Sequence, residues 1–229
     1  MTHRKTIICL ANSRKHSGRC IAGVEIIESD AGGWIRPVSA RTGSEVSEEE
    51  RQYKDGSDPR LLDIISVPLL KPVGLGYQAE NWLLDPDKYW NKTGRATWQD
   101  LQAIESDAED LWLGSAQDTI SGLNDRVTTG DVADIDDSLR LIRVDELEVA
   151  VFAPGANFGD PKRKVQGRFT YCNISYRVWI TDPLIEREFR AKADGAYALG
   201  ESFLTISLGE PHEGYCYKMI AAVISRNRI

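Results

Sequence analysis

Two basic stretches carry the residues best suited to chemistry in this chain. The first is Ala11-Asn12-Ser13-Arg14-Lys15-His16-Ser17-Gly18-Arg19, set between strand-like apolar runs at 6–10 and 20–27. Gly18 permits backbone conformations in which N–H groups approach an anion closely. Arg14, Lys15 and Arg19 can donate charge-assisted hydrogen bonds to phosphate. The second stretch, 154–168, has three glycines and the cations Lys162, Arg163, Lys164 and Arg168, the densest basic run in the sequence. A long loop of mixed turn chemistry with a basic tip suits a phosphate clamp. A solvated loop is the plain alternative for both stretches.

Strand alternation adds aromatic residues to these cations. In 33–39, Trp34 and Arg36 share a face with Val38. In 175–181, Arg177 and Trp179 share a face with Thr181, while Tyr176, Val178 and Ile180 form a core face. A tryptophan with an arginine two residues away is what a single-stranded nucleic-acid platform needs, because the ring stacks on a base while the guanidinium reaches a phosphate. The alternative is an arginine stem that covers the ring. Tyr215 and Tyr217 also share a face. With Met219, Ala221 and Val223 following, they read as barrel core, with stacking by Tyr215 at an open end the other reading.

Signals for catalysis are missing. There is no P-loop, no Gly-x-Gly-x-x-Gly turn and no Gly-x-Ser-x-Gly elbow. The histidines are His3, His16 and His212; His16 lies beside Ser13 and Ser17 without an orienting acid. Asp63, Asp182, Glu201 and Glu210 could serve a Mg²⁺-dependent nuclease, but no spacing singles out a pair. The expectation is no catalytic residue, no metal and no cofactor.

Cys9, Cys20, Cys172 and Cys216 form no C-x-x-C pair and read as buried free thiols. Hydrophobic residues make up 41% and charged residues 28%, the balance of a globular protein. No apolar run approaches a membrane span, and the N-terminus lacks a cleavage pattern, so a cytoplasmic location without membrane association is expected. The net charge of −7 is unevenly distributed: +1 over 1–75, −10 over 76–138 and +2 over 139–229. A nucleic-acid partner is therefore to be judged by local patches.

The elements follow the same division. Residues 1–75 read as β, with strands at 6–10, 20–27, 33–39 and 61–70, Pro68 marking an end or an edge, and a helical turn at 47–52. Residues 76–138 read as an acidic, partly helical insertion. Its Trp82, Trp90, Trp98 and Trp112 act as anchors, and a short helix starts at the capping sequence Thr97-x-x-Asp100. Residues 139–229 read as strands at 139–144, 147–153, 165–171, 175–181, 202–208 and 215–225. A helix at 183–193 is capped by Asp182, with Pro183 in its first turn. Strands, one helix and more strands is the order of an OB-type barrel. The fold expected is mainly β with minor α, as two OB-like barrels, with a strand after 138 available to complete the first.

Several pieces resemble an uncharacterised bacterial family described by a dual OB-fold domain. They are Ile7-Ile8-Cys9-Leu10-Ala11-Asn12-Ser13-Arg14-Lys15 with Gly18-Arg19-Cys20; Gly33-Trp34-Ile35-Arg36-Pro37-Val38-Ser39; Trp179-Ile180-Thr181-Asp182-Pro183; and Ser207-Leu208-Gly209-Glu210-Pro211 with Gly214-Tyr215-Cys216-Tyr217-Lys218. The resemblance implies two OB-type barrels and nucleic-acid recognition within a bacterial defence system, and it supplies no site residues.

The function expected is recognition of single-stranded RNA or DNA without catalysis. Arg14, Lys15, Arg19, Lys162, Arg163, Lys164 and Arg168 would contact phosphates, and Trp34 and Trp179 would stack on bases, helped by Arg36 and Arg177. One alternative is a protein–protein adaptor whose acidic 76–138 segment binds a basic partner. Another is a small hydrolase or nucleotide sensor built on His16.

Overall fold

The apolar runs at both ends of the chain are long enough to pair on both edges, and each set closes on itself. In the computed structural model, which describes residues 2–15, 17–28, 30–114 and 118–228, two compact units form. One comprises residues up to Glu105 with 136–138, the other 106–135 with 139–228.

The first unit is built on β1 (His3–Lys15), β2 (Gly18–Ile27), β3 (Asp30–Val38), β4 (Asp63–Pro72) and β5 (Asn81–Leu84). They pair in the ring β1-β2-β3-β5-β4-β1, in which β3 and β5 are parallel and every other pair is antiparallel. That is the strand order of an OB barrel. Ile7, Cys9, Ile21, Ile35, Ile65, Val67 and Leu69 fill its interior. Gly23 is required where β2 crosses β1, because a Cβ there would lie 2.0 Å from the Ile8 carbonyl oxygen. The short helix α1 (Glu48–Arg51) begins at a capping box made by Ser47 and Glu50.

All five strands of this ring precede residue 85, so no strand after 138 completes it. The stretch 76–138, read from composition as an insertion, is shared: β5, β6 (Asn91–Arg95) and α2 (Trp98–Ala103) belong to the first unit and 106–135 to the second. Trp90, Trp98 and Trp112 are buried anchors. Thr97 and Asp100 form the expected capping box. Pro68 neither ends β4 nor marks its edge. It lies within the strand opposite Arg4 of β1, and its carbonyl accepts from Asp85 N.

The second unit comprises β7 (Arg126–Thr128), β8 (Leu139–Phe152), β9 (Lys164–Tyr171), β10 (Ile174–Ile180), α3 (Pro183–Arg190), β11 (Gly195–Leu208) and β12 (Tyr215–Ser225). Its ring is β8-β9-β10-β12-β11-β8, with β10 parallel to β12 and α3 between the third and fourth strands. The order is again that of an OB barrel. The two strands read at 139–144 and 147–153 are one, β8, whose pairing with β11 is irregular around Gly200.

Asp182 fixes the start of α3. Its Oδ1 accepts from Leu184 N and Ile185 N, and its Oδ2 accepts from Val223 N and Arg228. Asp182→Ala would lose a cap and orphan a buried N–H, a combined cost of about 2–4 kcal/mol. Asp182→Asn, which keeps an acceptor for the cap, should lose less; urea unfolding of both variants measures the difference.

The cysteines are all free, but only Cys9 and Cys216 are buried. Cys20 is half-buried, and Cys172 is exposed because it sits in the β9–β10 turn with φ 46°. Burial pushes the Cys9 thiol up to about 12, which makes it inert. No helix among the described residues is long and apolar enough to cross a membrane.

Candidate nucleic-acid interface

The strongest arrangement of site residues lies on β9 and β10, the second and third strands of the second barrel. Val165, Gly167 and Phe169 point inward on β9, as do Tyr176, Val178 and Ile180 on β10. The opposite faces carry Lys164, Gln166 and Arg168, and Arg177 and Trp179. The antiparallel register sets Arg177 opposite Arg168 and Trp179 opposite Gln166. β8 extends these rows, with Glu148 beside Arg168 and Phe152 beside Lys164.

Trp179 is half-buried. Its ring centroid lies 5.7 Å from that of Phe152, tilted by 34°, and Lys164 Nζ lies 5.1 Å from it. Lys164 makes no ion pair among the described residues. Two arginines facing each other across a ladder repel. Glu148 offsets Arg168 at 3.1 Å, whereas the exposed Arg177 has no ion pair among the described residues. The face thus offers an accessible indole with Lys164 beside it, and Arg177 two residues away, both without an ion pair among the described residues.

β12 adds to this face, contrary to the core reading of its tyrosines. Tyr215 and Tyr217 are half-buried at the surface, and Cys216, Lys218 and Ile220 point inward. The cause is a bulge: Thr205 pairs with Ala222 but Ile206 with Ile220, leaving Ala221 as an extra residue. The alternation therefore changes phase, and Tyr217 does not share a face with Val223. Tyr217, Trp179, Lys164 and Arg126 line a cleft of about 520 Å³. The Arg126 guanidinium lies 3.9 Å over the Tyr215 ring.

The loop before β9 divides in role. Lys162 is exposed. Arg163 is committed to the end of α3: its guanidinium donates to Asp194 Oδ1 (2.7 Å) and to the carbonyls of Arg190 (2.8 Å) and Lys192 (2.6 Å). It satisfies helix-end carbonyls rather than waiting for a phosphate. Phe158, in the 3-10 turn Ala156–Phe158, is 88% exposed at the head of this basic loop.

In the first barrel, Arg14 and Arg19 face each other across the β1–β2 hairpin with Lys15 beside them. Arg14 is exposed, and Lys15 and Arg19 are half-buried. His16 lies outside the described residues, and with it the hydrolase reading built on it. Trp34 is half-buried on β3. Arg36 is not a surface group, and its expected contact with nucleic acid is corrected here. It is 5% exposed, pairs with Glu80 at 2.8 Å, and donates to Ser138 Oγ (2.8 Å) and Asn81 Oδ1 (3.3 Å). Glu80 and Ser138 bury Arg36, while Trp34 stays half-exposed without it.

The carboxylates weighed for metal chemistry are otherwise engaged. Buried Asp63 accepts from Tyr53 and pairs with Lys92 at 2.6 Å. Asp182 caps α3, and Glu201 pairs with Arg143 and Arg226. No cluster of three or more His, Cys, Asp or Glu side chains suited to a metal occurs among the described residues.

The family model described as "Dual OB-containing domain" (DuOB) matches residues 5–223. The chain belongs to the dual OB-containing domain family. No curated protein and no solved structure matches it. Membership agrees with the two rings and with the general use of OB folds in oligonucleotide binding, through the face of their second and third strands and the loops beside it. In this dual-OB chain that face is accessible around Trp179 in the second barrel and covered at Arg36 in the first.

Sequence reasoning placed Lys162, Lys164, Arg168, Arg177 and Trp179 in one barrel, and the structure brings them onto one strand pair and its loop. Phe152, Arg126 and Phe158 were missed. Phe158 had a legible signal, an aromatic residue in the middle of a basic, glycine-rich loop. Phe152 and Arg126 acquire their positions only from cross-strand pairing.

Proposed function

We propose that the chain recognises single-stranded nucleic acid without catalysis, chiefly through the outer face of β9 and β10. The observation that carries this reading is Trp179, half-exposed with Lys164 beside its ring and Arg177 two residues along β10, neither cation in an ion pair among the described residues, on the strand pair that OB folds use for oligonucleotides. Lys162 and Arg168 extend the cationic margin. The Arg14–Lys15–Arg19 hairpin offers a further phosphate contact on the first barrel.

Oligonucleotide titration over a range of salt concentrations tests it. Trp179→Ala should weaken binding by about 1–3 kcal/mol, roughly 5- to 150-fold. Arg177→Ala, if it removes one phosphate contact, should lower the slope of log K against log salt by about 0.7. No binding at low salt, or binding indifferent to both substitutions, would refute the reading.

A further inference from the structure

The outer face of β9 and β10 is not one open platform. Gln166 points outward from the middle of β9, yet it is only 1% exposed, because its Nε2 donates to the Ser121 carbonyl at 2.6 Å. The segment 118–124 pairs along the edge of β10 opposite β9 and turns over the face at Ser121. Leu123 and Arg177 exchange two backbone hydrogen bonds (3.1 and 3.0 Å), and Asn124 Nδ2 donates to the Ser175 carbonyl. The segment is also tied internally: Thr119 N and Oγ1 donate to the buried Asp125 carboxylate (2.9 and 2.6 Å), and Gly122 N donates to Thr119 Oγ1.

This cover divides the face. On one side is the Trp179 cleft, walled by Ile120 and Ser121. On the other is a groove of about 860 Å³ containing Arg168 and Arg177, walled by Leu123. We propose that the Trp179 cleft holds a terminal nucleotide unit, one base with its phosphate, and not a base from the interior of a continuous strand. This rests on the nucleic-acid reading above.

The argument is one of passage. Trp179 and Arg177 are two residues apart on β10, roughly 7 Å at the rise of a strand. That distance is about one nucleotide step. A polynucleotide stacked on Trp179 and continuing toward Arg177 would run through the position of Ser121. A chain whose last base lies in the cleft avoids this obstacle. The cleft volume is in the range of small-molecule sites. Lys164 supplies a cation beside the ring, without an ion pair among the described residues. Asp118, which also lines the cleft, accepts from Asn124 N through Oδ1 at 2.7 Å and keeps its negative charge, so the phosphate belongs on the Lys164 side.

A free mononucleotide has the same chemistry as a strand end, so the test has three probes: linear oligothymidylate of about 16 nucleotides, the upper end of an OB site; a covalent circle of the same sequence; and thymidine monophosphate. Isothermal titration should show the linear strand binding at least about fivefold more tightly than the circle, the loss of one stacking contact, with the mononucleotide competing. Gln166→Ala, which removes the hydrogen bond holding Ser121 over β9, should narrow the difference. A circle that binds as tightly as the linear strand overturns the terminal-unit inference and leaves the nucleic-acid reading standing. Binding of the mononucleotide alone supports a one-nucleotide cleft and overturns the strand reading. Binding of none of the three at low salt overturns both.

Discussion

Lys218→Met is expected to make the protein more stable at pH 7, with an advantage over the parent that shrinks between about pH 8 and pH 10.5. The bulge at Ala221 turns Lys218 into the second barrel, where it is 1% exposed. Its Nζ has no hydrogen-bond partner among the described residues and lies 5.7 Å from the Tyr176 ring. Burial lowers its pKa from the usual 10.5 to about 8, against the opposing pull of Asp110 and Asp125. At this group the folded state therefore binds fewer protons than the unfolded chain between these values, so its contribution to stability climbs with pH across the window, whereas the raised Cys9 thiol pulls the other way above about pH 9. Below about pH 8 the ammonium is charged in both states and the full penalty of its burial persists. A shift of this size corresponds to about 3 kcal/mol. Methionine has a similar shape and no charge. Its introduction orphans neither neighbouring carboxylate, because Asp125 is held by Thr119 and Asp110 pairs with Arg140. Urea unfolding of both proteins at pH 7 and at pH 10 measures the effect. A variant that is less stable at pH 7, with the pH dependence unchanged, would show that the lysine charge is compensated in solution.

That lysine marks the limit of what was legible in the sequence. A period of two assigns faces correctly along β10, where nothing interrupts it. It fails along β12, because a bulge depends on pairing with β11 and leaves no local signal at Ala221. The helix α3 was legible because Asp182-Pro183 states its start chemically, and α2 because Thr97 and Asp100 form a capping box. β6, Asn91-Lys92-Thr93-Gly94-Arg95, has no apolar residue and was invisible. It is a strand because the open edge of β4 supplies partners, including the Ile64 carbonyl that accepts from Thr93. β5 was hidden by its acidic surroundings, since charge composition says nothing about ring closure.

The candidate site shows the same division. The basic residues and tryptophans declared themselves by type, and their faces by alternation. What covers a face comes from distant parts of the chain. Ser121 over Gln166 and Glu80 over Arg36 are both contacts of this kind, and each decides whether an outward residue reaches solvent. Trp179 and Trp34 were equivalent as sequence, and only the folded chain separates them.

Glu80→Ala is expected to destabilise the first unit by about 3–5 kcal/mol, because it leaves the Arg36 guanidinium buried without its counter-charge. The side chains of the pair are each 6% exposed. Ser138 Oγ also donates to Glu80 Oε1, so the substitution removes two partners at once. Glu80→Gln retains an acceptor and should cost less. The double variant Arg36→Met with Glu80→Leu should recover most of the loss, since an apolar pair of similar volume escapes the desolvation that the ions bear. Calorimetry of the full chain reads all four proteins, and the recovery in the double variant separates an ionic effect from a packing defect. A cost below about 1 kcal/mol for Glu80→Ala would mean that the pair behaves as a solvated surface bridge. Arg36 would then be available beside Trp34 after all, and the first barrel would regain the aromatic–cation face that the buried pair denies it.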